Sequence, residues 1–106
     1  MLKRLKRRYL AVKIDSAEKF SQKEFMDVVW GSLSRLYGEY GASRSGLAPI
    51  HYDEEEGLAV LRALHDEVRK VRAALAVVTK MNGKPVVLHV EAVSGTIRAL
   101  RNKTQH

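Results

Sequence analysis

Residues 85–93, PVVLHVEAV, carry the clearest strand signal in the chain. Apolar side chains recur through them at the period of two that one face of a pleated strand requires, giving Val86, Leu88, Val90 and Ala92 as the inward set. Asn82-Gly83 precedes the segment and Ser94-Gly95-Thr96 follows it, so breakers bound it on both sides. Near the other end of the chain, residues 8–15, RYLAVKID, repeat the pattern: Leu10, Val12 and Ile14 alternate with Tyr9, Ala11, Lys13 and Asp15.

Two helices and two strands fill the interval. Ser21 followed by Glu24 is a capping box, in which each side chain satisfies an orphan amide at a helix start. The helix it opens runs to about Tyr37, with Phe25, Val28, Val29, Leu33 and Leu36 at helical spacing, and Gly38 stops it. Residues 38–46, GEYGASRSG, read as a loop. Residues 47–53 form a weaker strand, which Pro49 places at an edge because proline cannot donate to the ladder. The DEEEG turn at 53–57 returns the chain into a third strand at 58–64, making a hairpin. A second helix spans His65 to Met81, with Asp66 and Glu67 near its positive end and Val68, Val71, Leu75 and Val78 as its apolar stripe; Asn82-Gly83 ends it. Beyond the last strand, Ser94-Gly95-Thr96 opens a short basic helix from Ile97 to Lys103. The order strand, helix, strand, strand, helix, strand is that of two interleaved right-handed crossover units. It predicts an α+β, ferredoxin-like and RRM-like sandwich, with a four-stranded antiparallel sheet, two helices on one face and a short C-terminal helix. Residues 1–106 are expected to form one domain, with a basic N-terminal arm at 1–8 and the basic helix at 96–104.

With 45% hydrophobic and 29% charged residues the chain has a globular composition. No apolar run approaches the roughly 20 residues of a membrane span, and too few apolar residues follow the basic N-terminus for a signal peptide, so a soluble, cytoplasmic protein is expected. Cysteine is absent, which excludes disulfides, thiolate metal sites and a cysteine nucleophile. The net charge of +7 is unevenly placed. Residues 1–13 carry six basic side chains and no acidic one, residues 94–106 carry three and none, and the middle holds ten basic against twelve acidic. Such ends are either solvated tails or the footprint of a polyanion partner. The topology favours the second reading, because it lays the last strand antiparallel beside the first and so joins both basic ends in one patch.

Catalytic signatures are scarce. His51, His65, His89 and His106 lack metal-type spacing, and neither a phosphate-binding loop nor a dinucleotide turn is present; no catalytic residue, metal or bound cofactor is expected on this chain. The acidic 53–57 turn reads as a solvated hairpin turn. Ser94-Gly95-Thr96-Ile97-Arg98 has two open readings, a phosphate grip at a helix N-terminus or a plain cap and turn. Met26, Trp30 and Tyr37 extend the apolar surface of the first helix beyond its core stripe, either as a partner-docking face or as part of a broad core helix.

Taken in order, Lys6-Arg7-Arg8-Tyr9-Leu10, Leu36-Tyr37-Gly38-Glu39-Tyr40-Gly41, Val71-Arg72-Ala73-Ala74-Leu75 and Val93-Ser94-Gly95-Thr96-Ile97-Arg98 with Lys103 resemble the archaeal ribonuclease P protein component 2 family, the counterpart of the eukaryotic Pop-class subunit. The resemblance implies a subunit of the ribonucleoprotein endonuclease that removes the 5′ leader from precursor tRNA. The active site and its Mg²⁺ would belong to the RNA. Expected partners are ribonuclease P RNA, precursor tRNA, protein component 3 and further protein subunits, with dimerisation inside a heterotetramer. It also implies RNA contact at Lys6, Arg7, Arg8, Ser94, Gly95, Thr96, Arg98 and Lys103, to which the charge pattern adds Lys3, Arg4 and Arg101. Two departures stand out. Ala63-Leu64 follow the third-strand Arg62 where the family carries a polar residue or cysteine, and the aromatic strand motifs of an RNA-recognition motif are missing, which favours phosphate and shape recognition over base stacking. The competing readings are an interaction module of another RNA-processing particle and a small acylphosphatase-like hydrolase.

Overall fold

The alternation of Leu10, Val12 and Ile14 builds the centre of the sheet. In the computed structural model, which describes residues 6–104, β1 (Arg7–Asp15) pairs antiparallel on one side with β3 (Leu58–Leu64) and on the other with β6 (Val87–Ser94). β2 (Ala48–Asp53), which contains Pro49, takes the edge beyond β3, giving the strand order β2-β3-β1-β6. This is the predicted four-stranded antiparallel sheet. Two helices, α1 (Gln22–Ser43) and α2 (Val68–Ala76, entered through a 3₁₀ turn at His65–Glu67), cover one face. Leu10, Val12, Leu61, Phe25, Val29, Leu33, Val71 and Leu75 form the fully buried centre between the layers, each contributing roughly 1.5–3 kcal/mol of transfer free energy. The buried Ser32 hydroxyl of α1 donates to the Ala74 carbonyl of α2 at 2.7 Å, tying the helices together without an unpaired polar group in the core. A short C-terminal helix, α3 (Ile97–Thr104), packs on β1 and β6; Leu100 and Ala11 are buried outside the main core. No helix among the described residues is long and apolar enough to cross a membrane.

The capping box forms as read: Glu24 N–H donates to the Ser21 hydroxyl and Ser21 N–H to the Glu24 carboxylate, which lowers the Glu24 pKa. Other expectations need correction. Gly38 does break α1, at φ 76°, but residues 39–43 resume the helix instead of forming a loop. The reason is local packing: Ala42 is buried, the Ser45 hydroxyl and amide both donate to its carbonyl, and Gly41 lies so close to the preceding turn that a Cβ there would stand 2.9 Å from Tyr37 Cβ. The second helix ends at Ala76, not Met81. Asn82 and Gly83, at φ 51° and 76°, instead turn a small hairpin between β4 (Lys80–Met81) and β5 (Lys84–Pro85). Asn-Gly is the strongest two-residue hairpin signal because both positions tolerate positive φ. In β6 the register shifts opposite Ala11/Val12, leaving Glu91 as an extra residue. That bulge reverses the alternation, so Val86, Leu88 and Val90 face the helices as expected but Val93 replaces Ala92 in that set.

Tyr52 anchors β2 to the start of α1: its ring lies 5.6 Å from that of Phe25 and its hydroxyl donates to the Phe20 carbonyl. Burial first, then the charges of Glu54 and Glu24, push the phenol up to about 12. A folded-state pKa above the unfolded value gives stability that is complete below the unfolded pKa of about 10 and is lost as pH rises from there. Tyr52→Phe should therefore cost about 1 kcal/mol at neutral pH. In chemical denaturation at about pH 9 and about pH 11 the variant should lose less stability between the two than the parent does.

Candidate nucleic-acid interface

The antiparallel pairing decides which side chains share the sheet end where β1 begins. Tyr9 lies opposite Ser94 and Arg7 opposite Leu64, so the start of β1 meets the ends of β3 and β6 there. The Arg8 guanidinium rests against the 94–96 turn: a Cβ added at Gly95 would lie 3.4 Å from Arg8 Nη1, so the missing side chain makes room for the cation. Arg8 Nη1 also donates to the Arg7 carbonyl at 3.0 Å, which fixes its direction.

Within the turn, the Ser94 hydroxyl accepts from Thr96 N–H at 3.4 Å, and the Thr96 hydroxyl accepts from Ala99 N–H at 3.1 Å as the N-cap of α3. Both hydroxyls thus serve the cap, and each keeps one proton to donate elsewhere. Lys103 reaches back from the last turn of α3 to donate to the Val93 carbonyl at 2.8 Å, holding its ammonium at the same end of the sheet with further protons available. Arg98 stands exposed in the first turn of α3. The structure therefore brings Lys6, Arg7, Arg8, Ser94, Gly95, Thr96, Arg98 and Lys103 around one end of the sheet. Arg101 lines the groove between α3 and the open face of the sheet, beside Lys13, Ile50 and Leu58, and also a shallow hollow that it shares with Arg98. Lys3 and Arg4 lie outside the described residues.

Three lysines elsewhere in the fold are compensated by carboxylates. Lys19 is paired with Glu55, Lys23 with Asp27 at 2.8 Å and Lys70 with Glu67 at 3.1 Å. These carboxylates raise the pKa of Lys19 and Lys23. Among the described residues no ion pair engages Lys6, Arg7, Arg8, Arg98 or Lys103. The acidic 53–57 turn sits at the opposite end of the sheet, next to Ile14. The length of β1 puts about 25 Å between the two ends, well beyond the ~8 Å over which charges act at physiological salt.

The three α1 residues with two open readings differ in burial. Met26 is buried in the core, Trp30 packs half-buried against it, and Tyr37 is the most exposed of the three, with the Lys70 ammonium 5.6 Å over its ring. Leu36 and Tyr40 are exposed beside it, Tyr40 at 74%. The sequence reading also passed over Arg44, Arg62 and His65, which line one cleft with Lys6 and Arg7. Period two along 58–64 was the available signal, since it sets Arg62 on the face opposite Leu61.

Fold and charge together define a class, the small split-βαβ domains whose sheet gathers cations at one end. Within it, the chain belongs to the Rpp14/Pop5 family, whose model matches residues 8–105. It is 35% identical over 100 residues to ribonuclease P protein component 2 of Methanosarcina mazei, covering 94% of this chain and 84% of that one. Against the component 2 of Pyrococcus furiosus the identity is 32% over 98 residues, covering 92% and 82%. A chain in a cryo-EM structure of yeast ribonuclease MRP shares the fold, with a TM-score of 0.73 at 17% identity over 91% of this chain and 79% of that one. The family resemblance read from the sequence is confirmed.

Proposed function

We propose that this chain is a protein subunit of ribonuclease P that assists the catalytic RNA in removing the 5′ leader from precursor tRNA. The observation that carries the reading is the sheet end itself, where residues 6–8 and α3 come together and the described cations Lys6, Arg7, Arg8, Arg98 and Lys103 have no ion pair among the described residues. Such a surface gains little from facing water and much from facing phosphates, whose bound counterions it releases. Its contribution is electrostatic positioning: by neutralising clustered RNA phosphates it lowers the repulsion that opposes the folded RNA and its Mg²⁺ ions. Mg²⁺ and the hydrolytic chemistry stay with the RNA, and the chain contributes to an enzyme only as part of the holoenzyme. For the protein partner, component 3 in this reading, the exposed Leu36, Tyr37 and Tyr40 at the end of α1 offer an apolar surface, and a dimer of this chain inside a heterotetramer is the expected assembly. The particle would work in the cytoplasm.

Reconstituted cleavage of precursor tRNA at limiting Mg²⁺ tests this. Adding the protein with its partner subunits should raise the rate and lower the Mg²⁺ required relative to the same mixture without this chain. Identical rates and identical Mg²⁺ dependence would overturn the reading.

A further inference from the structure

We propose that the phosphate-binding surface does not stop at Arg8 and α3 but continues across the sheet end into the cleft lined by Lys6, Arg7, Arg44, Arg62 and His65, where a second backbone phosphate of the RNA binds. The inference rests on the RNA-binding reading above and adds a site to it. The cleft is built from four parts of the fold: the start of β1, the end of α1, the end of β3 and the 3₁₀ turn. Two backbone bonds hold its walls in place. Leu64 N–H donates to the Ser45 carbonyl at 2.9 Å, and His65 N–H donates to the Lys6 carbonyl at 2.8 Å. Gly46, at φ 69°, lets the α1–β2 connection press onto Leu64, where a Cβ would meet Leu64 Cγ at 2.8 Å. The walls are therefore set before any ligand arrives.

Arg62 marks the cleft as more than a crowded surface. It projects from β3, opposite Tyr9 on one side and Ala48 on the other, and its Nε is buried with no hydrogen-bond partner among the described residues. Burying an unpaired guanidinium N–H costs folding free energy, so a side chain with a purely structural role has no reason to hold one there. A phosphate in the cleft offers the guanidinium an acceptor, in the forked geometry arginine favours. The carboxylates on the cleft wall are Asp66 and Glu67, and Glu67 is already paired with Lys70 at 3.1 Å. Four arginine and lysine side chains thus face two acids, and Arg44, whose Nη1 donates to the Tyr40 hydroxyl at 3.2 Å, has further N–H donors for a phosphate. β3 and β6 are two strand spacings apart, about 10 Å, so one RNA strand crossing the sheet end meets both groups.

The test measures binding of a ribonuclease P RNA transcript to the full chain as a function of salt, with thermal unfolding of each variant alongside. The variants are Arg62→Met, the exposed Arg44→Gln, and Arg8→Gln with Arg98→Gln. Removing one cation from a phosphate lowers the slope of log K against log salt by about one. Arg62→Met and Arg44→Gln should each weaken binding several-fold with a slope reduced by up to about one, and Arg62→Met should unfold no earlier than the parent. If both leave affinity and slope unchanged while the Arg8 and Arg98 changes reduce them, the cleft is not a phosphate site and the broader reading stands. If none of the variants changes the slope, the RNA-binding reading itself fails. An Arg62→Met variant that loses stability while Arg44→Gln binds like the parent would show a structural arginine and overturn the proposal.

Discussion

Replacing Arg8, Arg98 and Lys103 together by alanine should weaken binding to ribonuclease P RNA by about 10²- to 10³-fold at low salt, since a hydrogen bond to a charged group is worth roughly 1.5–3 kcal/mol and not all of it is recovered by water. The slope of log K against log salt should fall by about two to three, at roughly 0.7–0.9 for each phosphate left without its cation. The effect should shrink as salt rises, because the surface charges are then screened in the parent too. Compensation predicts the contrast. Lys19 and Lys23 already spend their charge on Glu55 and Asp27, so alanine at both should leave the slope close to that of the parent. Equal slope changes for the two sets of variants would mean that total charge, not its placement, governs binding. Lys103 also donates to the Val93 carbonyl, so thermal unfolding must accompany the measurement to show that α3 stays docked.

Much of this arrangement was legible in the sequence because the physics behind it is local. Period two in residues 8–15, the reciprocal Ser21/Glu24 cap and the proline at position 49 each act within a few residues, and each forms as read. That residues 6–8 share one end of the sheet with the 94–96 turn followed from topology alone. The misreadings arose where a distant partner decides. Residues 39–43 resume the helix because Ala42 is buried and Ser45 binds its carbonyl, neither of which a run of glycine and serine announces. The Asn-Gly turn was visible but assigned to a helix end; what settles it is the docking of Met81 in the core and the hydrogen bond from Asn82 to the Glu24 carboxylate across the fold. The Glu91 bulge is set by the register with β1, which no single-strand pattern specifies. The site suffered from the same limit. Charge counted along the chain found the arm and α3, whereas Arg44 and Arg62 sit in a stretch of balanced charge and join the patch only once β1 is laid beside β3.

The largest effect on stability expected from a single methyl group is at Gly57, at the opposite end of the sheet. Its φ is 65°, and a Cβ there would lie 2.8 Å from the Ile14 carbonyl oxygen, a backbone atom that cannot rotate away. The same residue accepts a 2.7 Å hydrogen bond from Ile14 N–H and donates one to Asp53 at 2.9 Å, so the turn and the end of β1 are locked together. Alanine at this position costs roughly 1–2 kcal/mol for the left-handed backbone. Relieving the clash displaces β1 and weakens a hydrogen bond worth about 1 kcal/mol. A total of about 2–3 kcal/mol, taken from the 5–15 kcal/mol typical of a domain, lowers the melting temperature by on the order of 10–20 °C for a chain of this size. Gly83 separates the two contributions: its φ is 76°, yet nothing lies within 4 Å of an added Cβ. Gly83→Ala should therefore show the backbone cost alone, about 1–2 kcal/mol, and melt well above Gly57→Ala. Equal losses would mean that the approach to Ile14 is relaxed at no cost and that backbone conformation is the whole effect. Because the 53–57 turn lies at the other end of β1 from Arg8, the folded fraction of Gly57→Ala should bind RNA with the salt slope of the parent.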